Sequence, residues 1–264
     1  MSVWSSGFWT AIILFQLVWI PAFFFRKNDL ADVLWGPAFP LCAFAGIYFS
    51  GRSLADLGLR QLVVVSLITV WALRLFVHVG WRNLSHRQED VRYNNWRKAW
   101  GSTWIWRSYL QVFVLQPLIL YAFLLPVLFI LASPGLPIGI AGYAGVLFWM
   151  VGFFFESVGD EQLRRFKADG KNRGQLMTKG LWSWTRHPNY FGEVLLWWGI
   201  WLLAIELPGA WWTIAGPFGV TYLLLKVSGV SMLEDLMRSR PGYAEYEKSV
   251  SRFFPRPPPR RLDG

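Results

Sequence analysis

YLQVFVLQPLILYAFLLPVLFILA, residues Tyr109 to Ala132, runs for 24 residues without one acidic or basic side chain. A helix rising about 1.5 Å per residue crosses about 30 Å of hydrocarbon in roughly 20 residues, so this run is long enough to span a bilayer. Its apolar residues are continuous rather than striped, as in a helix that meets lipid or protein on every face. Reading outward from it, the same pattern predicts spans at Phe8 to Phe25, Ala31 to Ser50, Leu62 to Trp81, Ile138 to Glu156, Tyr190 to Ile205 and Trp211 to Val230. The composition agrees, with 54% apolar, 18% aromatic and 16% charged residues and 18 tryptophans, far from the balance of a water-soluble chain. The expected fold class is therefore all-α: a polytopic membrane protein of about seven transmembrane helices, with residues 1–264 forming one integral domain.

Lys and Arg accumulate in cytoplasmic connections. Six lie between Arg82 and Arg107, seven between Arg164 and Arg186, and seven in the tail from Arg238, which is 20 of the 26 in the chain. The connections Ser133 to Pro137 and Glu206 to Ala210 hold none. With seven spans this places the N-terminus outside and the C-terminus in the cytoplasm. Met1 to Gly7 carries no basic residue and no cleavage pattern follows it, so the first apolar run reads as a helix rather than a signal peptide. The net charge of +10 is accounted for by this topology and by anionic lipid headgroups, and its division among loops excludes a nucleic-acid-binding module. One cysteine, Cys42, and three scattered histidines, His78, His86 and His187, offer no metal centre. Nothing in the sequence fixes an oligomeric state.

The chemistry concentrates in RHPNYFGE, Arg186 to Glu193, at the entry of the sixth expected span. Proline is tolerated in a first helical turn because the N–H groups there lack intrahelical partners, and those groups with the helix dipole favour an anion, making a phosphate or pyrophosphate site. Asn189 and Glu193, four apart, share a helix face, and a carboxylate at that depth requires an interior partner. A helix cap with an Asn–Glu pair binding helices together is the plainer alternative.

RHPNYFGE, preceded by ESVGDEQLRRF from Glu156 and KGLW from Lys179, and followed by Glu234, Tyr243, Tyr246 and Phe254–Pro255, resembles the C-terminal domain of the steroid 5α-reductases and sterol reductases over residues 151–255. WALRL at Trp71 and QEDVRY at Gln88 are similar to the bacterial branch of that superfamily, which implies the bacterial cell (inner) membrane. The resemblance implies an NADPH-dependent reductase of a carbon–carbon double bond, its cofactor at the cytoplasmic helix ends and its hydrophobic enone substrate, steroid-like, isoprenoid or lipid, drawn from the bilayer. By that resemblance Asn189, with Tyr190 beside it, and Glu193 line the nicotinamide end, Glu156 and Asp160 hold sugar or adenine groups, Arg82 lies in the phosphate region, Arg92 is among the cofactor-binding residues, and Glu234, Tyr243 and Tyr246 belong to the cofactor-binding tail. Arg173, Arg186 and His187 add phosphate charge, since guanidinium groups bind phosphate oxygens bidentately.

Animal-type steroid reductases carry a Gln–Glu pair in the second helix; the comparable stretch here, DVLWGPAFP from Asp32, lacks it. Hydride addition to an enone pushes charge onto the carbonyl oxygen, so a donor is needed there. Asp32, Tyr93 and Tyr48 are the candidates; Asp32 also fits an interfacial residue near Arg26 and Lys27, and Tyr93 an interfacial anchor. An S-adenosylmethionine-dependent methyltransferase of the isoprenylcysteine type shares the RHPxY motif and a downstream Glu and Tyr. A lipid-binding or transport protein without an enzymatic role is the third reading.

Overall fold

The structure is a computed structural model that describes residues 1–85 and 89–257. His86, Arg87, Gln88, Arg260 and Arg261 lie outside the described residues. Eleven α-helices are named here: α1 (Val3–Phe25), α2 (Leu30–Phe49), α3 (Leu59–Ser85), α4 (Val91–Trp100), α5 (Trp104–Ser108), α6 (Leu115–Ala132), α7 (Ile140–Ala168), α8 (Pro188–Ile205), α9 (Ala215–Tyr222), α10 (Val230–Met237) and α11 (Tyr243–Ser249). Among the described residues there is no strand.

Among the described residues six segments are long and apolar enough to cross a membrane: Val3–Phe25, Leu30–Phe49, Leu59–Asn83, Val91–Ala132, Ile140–Ala168 and Ala210–Met237. The chain is thus a multi-pass helical membrane protein. The sixth expected span, Tyr190 to Ile205, forms α8, which is helical throughout but spends its first two turns on Asn189 and Glu193 and is not among the six. Two connections expected to be loops are partly helical. Helix α7 runs on past Glu156 to Ala168, and its extension pairs Glu161 with Arg164 at 2.6 Å and with Arg165 at 2.5 Å, one turn apart. Helix α4 starts at Asp90, whose side chain accepts from the Arg92 N–H as an N-cap.

The chain divides into two units. The first comprises Met1–Gly142 and Leu203–Gly216, the second Tyr143–Leu202 and the chain from Pro217 on. In the first, α1, α2, α3 and α6 pack on one another around Phe15, Phe39, Trp71, Leu120 and Leu124, all 0–1% exposed. Phe39 and Trp71 meet edge to face at 5.3 Å. Trp9, Ile13, Leu17, Ile20 and Phe24 form an exposed stripe down α1. Burying a side chain of this kind is worth about 2 kcal/mol in water, so such a stripe belongs against lipid. Between α5 and α6 the chain makes a π-helical turn, Tyr109–Val114. Pro117 has no N–H to give to the Phe113 carbonyl four residues back, and the Gln16 side chain donates to that carbonyl instead, at 2.8 Å.

The connections of the first unit that hold no basic residue are tied by two groups from the start of α3. Gln61 donates to the carbonyls of Ile130, Leu131 and Ser133. Arg60, 3% exposed, donates to the carbonyls of Pro137 and Leu203 and to Glu206 at 2.8 Å. Glu206 also accepts from the backbone N–H groups of Gly139 and Ala141, capping α7 from a distant part of the chain. Burial pushes the Glu206 carboxyl up, and these N–H donors with Arg60 outweigh it, holding the group below the usual carboxylate range. Glu206→Ala is expected to cost about 3 kcal/mol, since it strands a buried guanidinium. A thermal-unfolding midpoint unchanged from wild type in detergent would contradict this.

In the second unit α7 and α8 run antiparallel and touch through glycines. A Cβ on Gly152 would come 2.5 Å from the Gly192 carbonyl oxygen and 2.6 Å from the Leu196 nitrogen, and Gly159 and Gly199 face Pro188 and Gly145 in the same way. Such small residues let backbones approach where lipid gives no hydrophobic drive. Helix α8 also meets α9, where Trp198 donates to the Thr221 hydroxyl at 3.2 Å.

Candidate functional site

The segment from Trp182 to His187, ahead of α8, is fixed by the C-terminal chain. The Arg186 N–H donates to the Ser251 carbonyl at 2.9 Å, the Thr185 hydroxyl to the Phe253 carbonyl at 2.9 Å, and the Arg256 N–H to the Trp184 carbonyl at 2.9 Å. Tyr246 Oη donates to the Trp182 carbonyl at 2.6 Å. At the centre lies Glu234 on α10, 4% exposed. It accepts from Arg186 Nη2 at 2.6 Å and Nε at 3.0 Å, and from Arg252 Nε at 2.8 Å. Arg186 Nη1 donates to the carbonyls of Glu247 and Val250. His187 Nε2 stands 3.3 Å from Glu234 Oε1, and burial, partly opposed by that carboxylate, holds its imidazole down at about 4. His187 is therefore neutral at physiological pH.

This framework walls a cavity of about 520 Å³ in the second unit. Its floor is apolar, with Leu163 and Phe166 from α7, Leu233 and Met237 from α10, and Leu176 and Met177 from the intervening loop. Its rim carries the exposed cations Lys167, Arg173 and Arg240. Arg186, His187, Glu234, Tyr243 and Tyr246 also line it. The hydroxyl of Tyr243, which is 4% exposed, is buried with no partner, and burial pushes that phenol up, so it keeps a proton to donate. The volume falls within the range of small-molecule sites, and an apolar floor under a cationic rim fits a planar ring system joined to phosphates. These residues fit a phosphorylated nucleotide.

Six sequence-predicted cofactor residues thus line one cavity: Arg173, Arg186, His187, Glu234, Tyr243 and Tyr246. The guanidinium of Arg186 is consumed by Glu234 and two carbonyls, so the exposed cations at the rim are Arg173 and two residues that the motif reading passed over, Lys167 and Arg240. The signal for Lys167 was its place one turn beyond Leu163 on the α7 extension. Glu156, Asp160, Asn189, Tyr190 and Glu193 do not line the cavity; they stand on the α7–α8 pair of the same unit. Asn189 Nδ2 donates to Asp160 Oδ1 at 3.0 Å, while Asn189 Oδ1 is buried without a donor. Tyr190 stacks on His187 with ring centroids 5.9 Å apart, and Glu156 is 3% exposed beneath Gly192.

The remaining candidates lie in the first unit. Tyr93, 3% exposed, donates from Oη to Asp32 Oδ1 at 2.6 Å, and Arg92 Nη2 donates to Asp32 Oδ2 at 2.8 Å. Arg92 Nε also donates to Asp90 Oδ1 at 3.1 Å. Burial pushes the Asp90 carboxyl up, but bonds and charge from Arg92 and the charge on Arg82 hold it below the usual range. Tyr48 is 74% exposed near the far end of α2, about 24 Å from Asp32 along the helix, and has no place in this cluster.

The model of a family described as a protein of unknown function (DUF1295) matches residues 18–250. The chain is also similar to an uncharacterised protein of Schizosaccharomyces pombe, 26% identical over 284 aligned positions that cover 98% of this chain and 80% of the relative. No solved structure matches.

Proposed function

The chain belongs to the DUF1295 family, in the steroid 5α-reductase-like group, and from that premise we propose that it is a membrane-embedded, NADPH-dependent reductase of a carbon–carbon double bond in a hydrophobic enone. The observation that carries this reading is the cavity of the second unit, where an apolar floor, a cationic rim and the unpartnered Tyr243 hydroxyl stand together. When bound, the nicotinamide supplies the hydride for the β-carbon of the enone. Arg173, Arg240 and Lys167 hold phosphate oxygens, and Tyr243 and the neutral His187 orient the nucleotide by hydrogen bonds. Two residues past the cavity-lining His187, Asn189 has an unpaired carbonyl oxygen for a carboxamide that reaches beyond the cavity lining. Tyr93, whose buried phenol is held by Asp32 in the first unit, is kept as the candidate proton donor of the sequence reading.

The substrate class, steroid-like, isoprenoid or lipid, follows from a bilayer source. The reading takes α8 as a seventh crossing, with the N-terminus outside, the C-terminus in the cytoplasm, and a bacterial inner membrane as the host. Cysteines placed at Pro134 and Gly209 are then expected to react with an impermeant maleimide in intact cells. Reaction only after permeabilisation would reverse the orientation.

The cofactor is tested by thermal unfolding in detergent. NADPH is expected to stabilise the protein more than NADH, because the extra phosphate adds charge against the cationic rim. Arg173→Ala with Arg240→Ala should erase the difference between the two nucleotides. Stabilisation by S-adenosylmethionine with none by either dinucleotide would replace the reductase with a methyltransferase.

A further inference from the structure

We infer that Arg92 is a positioning residue that holds Asp32 in register with Tyr93, rather than a contact for cofactor phosphate. The role assigned to Tyr93 rests on the reductase reading; the pairing itself does not. Arg92 and Tyr93 are adjacent in the first turn of α4, and each gives a donor to a different oxygen of the same carboxylate, Nη2 to Oδ2 at 2.8 Å and Oη to Oδ1 at 2.6 Å. A carboxylate held at both oxygens cannot rotate about its terminal bond without breaking one contact, so the direction of the Tyr93 phenol is set by Arg92.

The anchoring continues on the other side of the guanidinium. Arg92 Nε and Nη2 donate to the two oxygens of Asp90 at 3.1 Å each, and Asp90 is itself fixed by accepting from the Arg92 N–H at 2.9 Å. Asp90 in turn donates its N–H to Asp29 Oδ2, at 3.0 Å, beside the start of α2. One cation thus bridges two carboxylates, Asp32 on α2 and Asp90 at the cap of α4. A phosphate dianion brought to it would meet two negative neighbours and would have to strip the bonds that Arg92 makes to both carboxylates. Lysine, a point charge with no fixed fork, cannot grip both carboxylates with the same geometry.

The test reads the phenol directly. Protein carrying 13Cζ-labelled tyrosine is prepared in detergent, with Tyr93→Phe identifying the Tyr93 resonance, and the affinity for NADPH is measured in parallel by thermal stabilisation. Asp32→Asn and Arg92→Met are both expected to move the Tyr93 resonance while the other tyrosine signals stay in place, and Arg92→Lys should leave it between the wild-type and Arg92→Met positions. NADPH affinity of the Arg92→Met protein should stay within about twofold of wild type. Should Arg92→Met fail to fold, Arg92→Gln, which keeps a donor amide, replaces it. A Tyr93 resonance unmoved in the folded Arg92 variants overturns the proposal, as does a tenfold loss of NADPH affinity that spares NADH. A wild-type protein that binds no dinucleotide but shows the Tyr93 shifts would overturn the reductase reading and leave the role of Arg92 standing.

Discussion

Glu234→Ala is expected to lower stability by about 4 kcal/mol, the largest effect of any single substitution outside the apolar core. Glu234 accepts from Arg186 and Arg252 and faces His187, and the side chains of Glu234 and Arg186 are only 5% and 6% exposed. Removing the carboxylate leaves a buried guanidinium with the carbonyls of Glu247 and Val250 and, at 3.8 Å, the half-exposed Glu247 carboxylate. The C-terminal chain from Tyr243 to Arg256 should then loosen from Trp182–His187, and because Tyr243 and Tyr246 line the cavity, nucleotide stabilisation should be lost with it. Limited proteolysis should cut the variant between Arg238 and Arg256 where wild type resists. The wild-type segment should also weaken as pH falls from about 6.5 toward 4, since the unfolded imidazole takes up a proton that buried His187 refuses. That contribution is complete above pH 6.5. A Glu234→Ala protein with wild-type melting and wild-type proteolysis would remove the clamp from this account.

Asn189→Ala and Glu193→Gln are expected to abolish turnover in a protein that still folds. Both occupy the first two turns of α8 on one face, and Asn189 presents a buried carbonyl oxygen with no donor of its own. Losing the Asn189–Asp160 hydrogen bond should cost only about 0.6 to 1.7 kcal/mol, the scale of side-chain bonds in bilayers. The decisive readout is the stabilisation added by NADPH, which follows RT ln(1 + [L]/Kd). A tenfold weaker Kd at saturating nucleotide removes about 1.4 kcal/mol of it. If both variants lose stability in proportion to activity while the NADPH-induced shift stays at the wild-type value, these residues bind helices together and nothing more.

What the sequence determined by itself was whatever depends on neighbours along the chain. The charge-free run Tyr109–Ala132 and its companions specify helices and a lipid environment because length and hydropathy are local properties, and six of the seven expected spans coincide with long apolar helices. RHPNYFGE and the distant Glu234, Tyr243 and Tyr246 marked the region of the cavity because their residue types are unusual beside a membrane helix. The end of an apolar run did not mark the end of its helix, since α7 continues past Glu156 to Ala168. Only the tertiary structure decided what each cation does. Arg186 looked like a phosphate ligand and Arg92 like a cofactor ligand because a guanidinium beside a motif is ambiguous; their partners, Glu234 and Asp32, stand 48 and 60 residues away. A charge taken out of water is committed to whichever opposite charge the fold brings within about 3 Å, and that distance between remote residues is set by helix packing, which no spacing in the sequence encodes.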